Sequence, residues 1–387
     1  MSRNITAGID IGSHHVKVVI AESISGRARA FPAILGTGFA ASRGMRHGYI
    51  ISQNDTARSI SAALRMAEKA AGVKVKRAYL AVGGVGLDEV RSQAEITITR
   101  ADSQVTDLDL EKVLAESEKR IRDRTLNRKV LHGVPLSYKI DGETVLGRPH
   151  GMKGTKLGIE ALFVTCLEQH LNDLIQAVEA AGVEVEDVMA APLAASFVTL
   201  TKAQKIAGCV LANIGAETVS IAVFENNLPQ SLKIFPIGSR DITHDIALGL
   251  RISVEEAEQV KLGAITNTNI QKRQLDDIVS RKLEDIFQLI EAHLKKIGRS
   301  GLLPAGIILT GGGTGISTIE DLARASLRLP SKTASMTAGH NTVKDASWAV
   351  AYGLCIWGNT QESESNGMRM ARRTGRTMLS WIKQFLP

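Results

Sequence analysis

Cysteine and aromatic residues are scarce in this 387-residue chain, at 3 Cys and 4 % Phe, Trp and Tyr together. Cys166, Cys209 and Cys355 are odd in number and widely spaced, with no CxxC or Cys/His zinc pattern. That excludes a disulfide framework and a structural zinc site, and it implies buried thiols in a reducing cytosol. No apolar run reaches eighteen residues, so no segment reads as a membrane-spanning helix. The opening MSRNITAGIDIG lacks the apolar core of a signal peptide, and a chain that is not exported is expected. Acid is absent from residue 366 onward, where Arg369, Arg372, Arg373, Arg376 and Lys383 carry five positive charges. Without those five the formal net charge falls from +7 to +2, so the body is nearly balanced. With few aromatics and basicity confined to the tail, nucleic acid is not expected as a partner.

What is present is a repeat. Residues 9–22, IDIGSHHVKVVIAE, and residues 212–225, ANIGAETVSIAVFE, lie 203 positions apart and share a register. Ile11 matches Ile214, Gly12 matches Gly215, Val16 matches Val219 and Glu22 matches Glu225, with Asp10 opposite Asn213. Each copy reads as an apolar strand, a small polar turn built on Gly, and a returning strand. Gly lets the turn's backbone N–H groups approach an anion closely, and the neighbouring Asp or Asn can hold a water of a hydrated cation. Residues 306–315, GIILTGGGTG, add an apolar strand that runs into Gly311, Gly312 and Gly313, ahead of a helical pattern from Ile319 to Leu327. Such a loop is expected to bring bare backbone to a ligand at a helix N-terminus. At 387 residues the chain is too long for one core, and it reads as two related lobes that grip a polyphosphate from both sides.

The tail has its own pattern. Met378, Leu379, Trp381, Ile382, Phe385 and Leu386 recur at helical spacing, opposite Arg369, Arg372, Arg373, Arg376 and Lys383. A basic face opposite a Trp/Phe/Leu face is suited to lying in an anionic lipid surface. Residues 359–367, NTQESESNG, are polar and read as a flexible linker before a helix at 368–387.

Several further segments resemble the FtsA family of actin-like bacterial division proteins: SRGMRHGYI (42–50), VGGVGLDEVRSQAEITI (82–98), HGVPLSYKIDG (132–142), GMKGTKL (151–157), VEAAGVEVEDVMAAPLAASFVTLT (178–201), IGSRDITHDIALGLRISVEEAEQVK (237–261) and DASWAVAYGL (345–354). The resemblance covers nearly the whole length. It implies an α/β, actin-like fold of two ribonuclease H-like lobes with an inserted α/β subdomain, 1C, of SHS2 type. Residues 1–80 and 166–204 would form subdomain 1A, closed by a helix at 341–358, with 81–165 as the insertion. Residues 205–240 and 301–340 would form 2A, and 241–300 would form 2B, including the amphipathic stretch 275–297.

By position the family implies ATP and Mg²⁺ as ligands. Asp10 and Asn213 would hold the water shell of Mg²⁺, Ser13 and Lys17 the phosphates, and Gly12, Gly215, Thr218 and Gly238 the loops around them. Glu258 and Lys261 would meet ribose and base, and Gly312 and Gly313 would line the adenine. On spacing alone, Glu258 and Lys261 are an ordinary exposed i,i+3 ion pair. His14 and His15 read as loop variation. The second loop departs from the family's DIGGGT: it reads NIGAET, with Ala216 and Glu217 in place of glycines and Asn213 in place of Asp. Ala191 stands before Pro192 where MreB carries a Glu that orients the attacking water. Ala cannot orient or deprotonate water, so ATP binding with slow or negligible hydrolysis is expected and no catalytic residue is assigned.

The family also implies partners. These are the C-terminal peptide of FtsZ on subdomain 2B, with Arg251 and Lys295 as candidates to meet acidic residues, other division proteins through 1C, self-association into filaments, and an anionic membrane bound through the tail. The expected location is the cytoplasmic face of the bacterial inner membrane at the division site. The alternative is a PilM-like peptide clamp of a pilus assembly machine, which lacks such a tail. A sugar kinase or true ATPase is disfavoured by Ala191 and the insertion.

Overall fold

The computed structural model of the chain describes residues 4–23, 31–264, 271–338, 341–343 and 345–365. The chain opens with β1 (Asn4–Ile11) and β2 (His15–Ser23), an antiparallel hairpin from Asn4↔Ser23 to Ile11↔Val16. Then come β3 (Ala33–Ala41), a small ladder of β4 (Met45–Arg46) and β5 (Tyr49–Ile50), α1 (Gln53–Ala71) and β6 (Arg77–Val82). The α1 helix ends where Gly72 takes a left-handed conformation and its N–H bonds to the Glu68 carbonyl. An insertion follows: β7 (Leu87–Thr97), α2 (Asp107–Lys119), β8 (Arg128–Ile140), β9 (Glu143–Val145) and β10 (Lys156–Leu167). Its antiparallel sheet, ordered β7-β10-β8-β9, closes over α2 around Leu110, Leu114, Leu157 and Phe163, a core separate from those of the lobes. The chain rejoins the first lobe through α3 (Glu168–Ala180), β11 (Glu184–Ala190), α4 (Ala191–Thr199) and α5 (Lys202–Ala207).

The second lobe repeats the plan with β12 (Cys209–Ile214), β13 (Val219–Glu225) and β14 (Leu228–Phe235). An outer helical layer follows, formed by α6 (Ser239–Leu250), α7 (Val254–Lys261) and α8 (Lys272–Lys296). Val279, Leu283, Ile286, Phe287, Ile290 and Leu294 make the buried stripe of α8. The lobe closes with β15 (Ile307–Thr310), α9 (Ile319–Leu327) and β16 (Ser331–Thr333). Last come a hairpin of β17 (Met336–Ala338) and β18 (Asn341–Val343), a short 3₁₀ turn, Ala346–Trp348, and α10 (Ala349–Ser365).

The two main sheets are topological copies, β3-β2-β1-β6-β11 and β14-β13-β12-β15-β16. In each, three antiparallel strands continue into two parallel ones. Alternation along β12 joins the lobes: Cys209 and Leu211 enter the first lobe's core, whereas Val210, Ala212 and Ile214 pack under α6, α8 and α9. The cysteines are buried and unpaired, at Cys166, Cys209 and Cys355. Among the described residues no helix is long and apolar enough to cross a membrane.

Two expectations at the C-terminal end need correction. The closing helix does not span 341–358; a hairpin and a 3₁₀ turn precede it, and α10 runs Ala349–Ser365. The stretch 359–367 therefore starts as helix rather than linker. Burial of Tyr352, Leu354, Cys355 and Trp357 nucleates α10, and with no Pro in QESES, propagation outward costs little. The membrane helix expected at 368–387, with Arg372, Arg373, Arg376, Met378, Leu379, Trp381, Ile382, Lys383, Phe385 and Leu386, lies outside the described residues.

α10 packs on α4 through Gly353, where an added Cβ would fall well inside van der Waals contact of the Ala194 carbonyl. Gly353→Val is expected to destabilise the fold by about 3 kcal/mol, since neither backbone can give way cheaply. A denaturant midpoint equal to that of the parent chain would contradict this packing.

Candidate functional site

Both hairpin turns open on one cleft of about 950 Å³ between the lobes. They close identically: Gly12 N–H donates to the His15 carbonyl (3.2 Å), and Gly215 N–H to the Thr218 carbonyl (2.9 Å). A Cβ on either glycine would crowd that same carbonyl at 2.9 Å, which is why both copies carry Gly there. Ser13, His14, Ala216 and Thr218 also line the cleft, together with Ala191 and Pro192 at the start of α4. Two glycine-turn loops with open backbone, facing each other across a cleft, form a cradle for an anion.

Asp10, on β1 beside the first turn, is paired across the hairpin with Lys17. Burial pushes its carboxyl up to about 6, against the opposing pull of Lys17. Lys17 lines the cleft with its Nζ already engaged: it donates to the Ser347 carbonyl (2.7 Å) and lies 5.6 Å from the Trp348 ring centroid. Asn213 pairs across its hairpin with Ser220, and its Oδ1 packs directly against Gly311. Among the described residues no group of three His, Cys, Asp or Glu side chains is placed to hold a metal directly. The donor set of Asp10 and the Asn213 amide fits a hydrated Mg²⁺ whose remaining ligands are phosphate oxygens.

On the opposite wall, Lys261 Nζ donates to Glu258 (2.7 Å), to Thr243 Oγ1 (2.8 Å) and to the Ser239 carbonyl (3.1 Å). The Lys261 side chain is only 8 % exposed, so this is no ordinary surface pair. Burial pushes the Glu258 carboxyl up, but hydrogen bonds from Lys261 and Thr243 outweigh it and hold the group below the usual range. Gly312 lines the cleft as expected. Gly313 is buried behind it against Ile214 and Ser239 and is not among the residues that line the cleft. Nor does Gly238 line the cleft: it is the N-cap of α6, packed on the Ala216–Glu217 backbone, and its N–H donates to Asp241 (2.7 Å). The glycine triplet also does not feed a helix directly. A 3₁₀ turn at Gly312–Gly315 intervenes before α9.

Residues that sequence reasoning left aside complete the walls: Arg240, Phe39 and Trp348. Arg240 is the second residue of α6, and its N–H donates to the Ala216 carbonyl (2.8 Å) of the second turn. One signal was legible. A cation in a helix's first turn opposes the macrodipole and implies an anionic partner. That partner is Glu217, which is buried, does not line the cleft, and forms an ion pair with Arg240. Its other carboxylate oxygen accepts the His47 N–H at 2.6 Å, across the lobes. His14, in the first turn, is held below its ordinary range by burial and then by the Arg240 charge.

Two family models match the chain: "Cell division protein FtsA" over residues 210–353 and "SHS2 domain inserted in FTSA" over residues 84–165. The cell division protein FtsA of Pseudomonas aeruginosa is 26 % identical, over 96 % of this chain and 92 % of its own length. The FtsA proteins of Bacillus subtilis (91 % and 83 % covered) and Escherichia coli (99 % and 96 % covered) are likewise 26 % identical. Among solved structures, a chain of the PilM-PilN type IV pilus biogenesis complex matches with TM-score 0.67 and 17 % identity, over 92 % of this chain and 98 % of that one. MreB5 of Spiroplasma citri bound to ADP matches with TM-score 0.53 and 12 % identity, over 95 % and 99 %. The fold is thus actin-like, two duplicated lobes with an SHS2-type insertion.

Proposed function

Because the chain belongs to the FtsA family of cell division proteins, we propose that it is an ATP-binding, actin-like adaptor that polymerises and tethers the FtsZ ring to the cytoplasmic membrane. The single observation that carries the nucleotide reading is the pair of matching glycine turns, at Gly12 and Gly215, facing one cleft. Backbone N–H groups of the two turns would take the phosphates, and Asp10 with Asn213 the water shell of Mg²⁺. The metal would neutralise phosphate charge. Glu258 and Lys261, locked to Thr243, would meet the ribose and base. Because both lobes contribute to the cradle, bound nucleotide favours the closed arrangement. Ala191 offers no group to orient water, so the nucleotide serves closure and assembly rather than turnover.

The remaining roles follow the family. The outer helices α6–α8 would receive the FtsZ C-terminal peptide, the insertion would meet other division proteins, and residues 368–387 would lie on the anionic cytoplasmic leaflet at the division site. A pilus-type peptide clamp shares only the fold, whereas both family models and the full-length relatives point to division.

Co-sedimentation of the full chain with anionic vesicles, with and without Mg-ATP, tests this reading. Mg-ATP is expected to increase pelleting, with phosphate release well below the ~1 s⁻¹ at the low end of common enzyme turnover. Pelleting indifferent to nucleotide would sink nucleotide-driven assembly, no pelleting in either condition would sink the tether, and phosphate release above about 1 s⁻¹ would sink the non-hydrolytic assignment.

A further inference from the structure

We propose that Arg240 is a phosphate-binding residue held in reserve by Glu217, so that a polyphosphate entering the cleft draws Arg240 away from an interlobe clasp. The inference rests on the nucleotide reading above and deepens it.

Three observations place Arg240 there. It lines the cleft, with 42 % of its side chain exposed, while its partner carboxylate is buried. Its backbone is tied to the second glycine turn through the Ala216 carbonyl, and Ser239 N–H is tied to the Gly215 carbonyl (2.9 Å). It also shares the cleft wall with His14 of the first glycine turn, whose affinity for a proton its charge lowers. Arg240 thus stands between the two loops that cradle the anion.

Glu217 lies in the second glycine turn, two residues after Gly215. Its carboxylate takes Arg240 on one oxygen and the His47 N–H (2.6 Å) on the other, and its backbone carbonyl lies 3.1 Å from His47 Nδ1. His47 sits in the β4–β5 turn of the first lobe, so Glu217 bridges the lobes while it holds Arg240. If Arg240 leaves, Glu217 keeps the His47 N–H and is not stranded, which lowers the cost of the exchange. A phosphate group offers the planar guanidinium two oxygens for bidentate hydrogen bonding and more charge than one carboxylate. It also suits the N-terminus of α6, where Arg240 alone is opposed by the helix dipole.

The test compares ATP with adenosine, by calorimetric titration of the full chain and of Arg240→Met, Arg240→Lys, Glu217→Gln and the double variant Arg240→Met/Glu217→Gln, each checked for folding by thermal melting. Arg240→Met is expected to weaken ATP about tenfold and leave adenosine unchanged, with partial recovery in Arg240→Lys. Glu217→Gln, which frees Arg240, is expected to strengthen ATP about threefold, again without effect on adenosine, and the double variant should match Arg240→Met. Equal changes for ATP and adenosine, or weaker ATP binding by Glu217→Gln, would overturn the proposal while leaving nucleotide binding intact. If the parent chain binds neither ligand, the nucleotide reading falls and the reserve role falls with it.

Discussion

A chain ending at Asn366 stays in solution with anionic vesicles that the full chain pellets with, and it keeps its affinity for nucleotide. The expectation follows from charge and periodicity in the removed residues. Five cations, Arg369, Arg372, Arg373, Arg376 and Lys383, face away from Met378, Leu379, Trp381, Ile382, Phe385 and Leu386 on a helical wheel. Each cation near an anionic leaflet contributes about 1 kcal/mol, so about 5 kcal/mol in all, before any burial of the apolar face. Every 1.4 kcal/mol is about tenfold in affinity, so truncation should weaken partition by roughly three orders of magnitude or more. Gly375 would subtract about 1 kcal/mol from a helix formed by this pattern. A single tail should therefore bind reversibly, and several tails presented together should hold firmly. High salt should release the full chain, because the electrostatic share is screened. Equal pelleting of both chains would place the membrane contact in the body, and equal solubility would leave the chain without an anchor.

Asp10→Asn should raise the stability of the ligand-free protein at pH 7 and weaken the contribution of Mg²⁺ to ATP binding. Burial raises the Asp10 pKa from 3.8 to about 6. Between those values the folded state holds a proton that the unfolded state has released, so stability falls as pH rises from about 4 to about 6 and stays lowered above. The ionised carboxylate then costs up to about 3 kcal/mol at pH 7, an upper bound because cleft water reaches part of the group. Asn carries no such charge, and its melting midpoint should lack that slope. The parent chain recovers the cost when a cation is bound, so Mg²⁺ should tighten its hold on ATP more than that of the variant, whose amide can hold a water of the shell but supplies no charge. Below pH 6 the proton competes with the cation, and the Mg²⁺-dependent part of the affinity should fall about tenfold per unit. Urea melts at pH 4.5 and pH 7, with titrations in Mg²⁺ and in EDTA, read both effects. A variant less stable than the parent at pH 7, or one helped by Mg²⁺ as much as the parent, would remove Asp10 from the cation site.

Local pattern carried the architecture. The matched hairpins were legible because alternating apolar strands around a glycine turn are encoded within fourteen residues, and α9 has the bounds that its periodicity sets, Ile319–Leu327. The cradle followed from the same residues, since Gly12 and Gly215 are required by turns that close on themselves. Tertiary structure decided what a side chain does when its partner is distant in sequence. Lys17 bonds to the Ser347 carbonyl 330 residues away, and Glu217 to His47 170 residues away, so neither destination is written near the residue. Gly238 and Gly313 share the small size of Gly12 and Gly215 but lie behind the cleft, because close packing and ligand approach impose the same demand for a missing Cβ. Helix α10 outran its expected end because burial of Tyr352 and Trp357 against the first lobe, a contact no local composition reveals, nucleates a helix that then propagates through polar residues. The sequence by itself determined the repeat, the turns and the amphipathic faces, which depend on neighbours along the chain. Only the fold determined which charges meet, because that depends on which distant backbone arrives beside them.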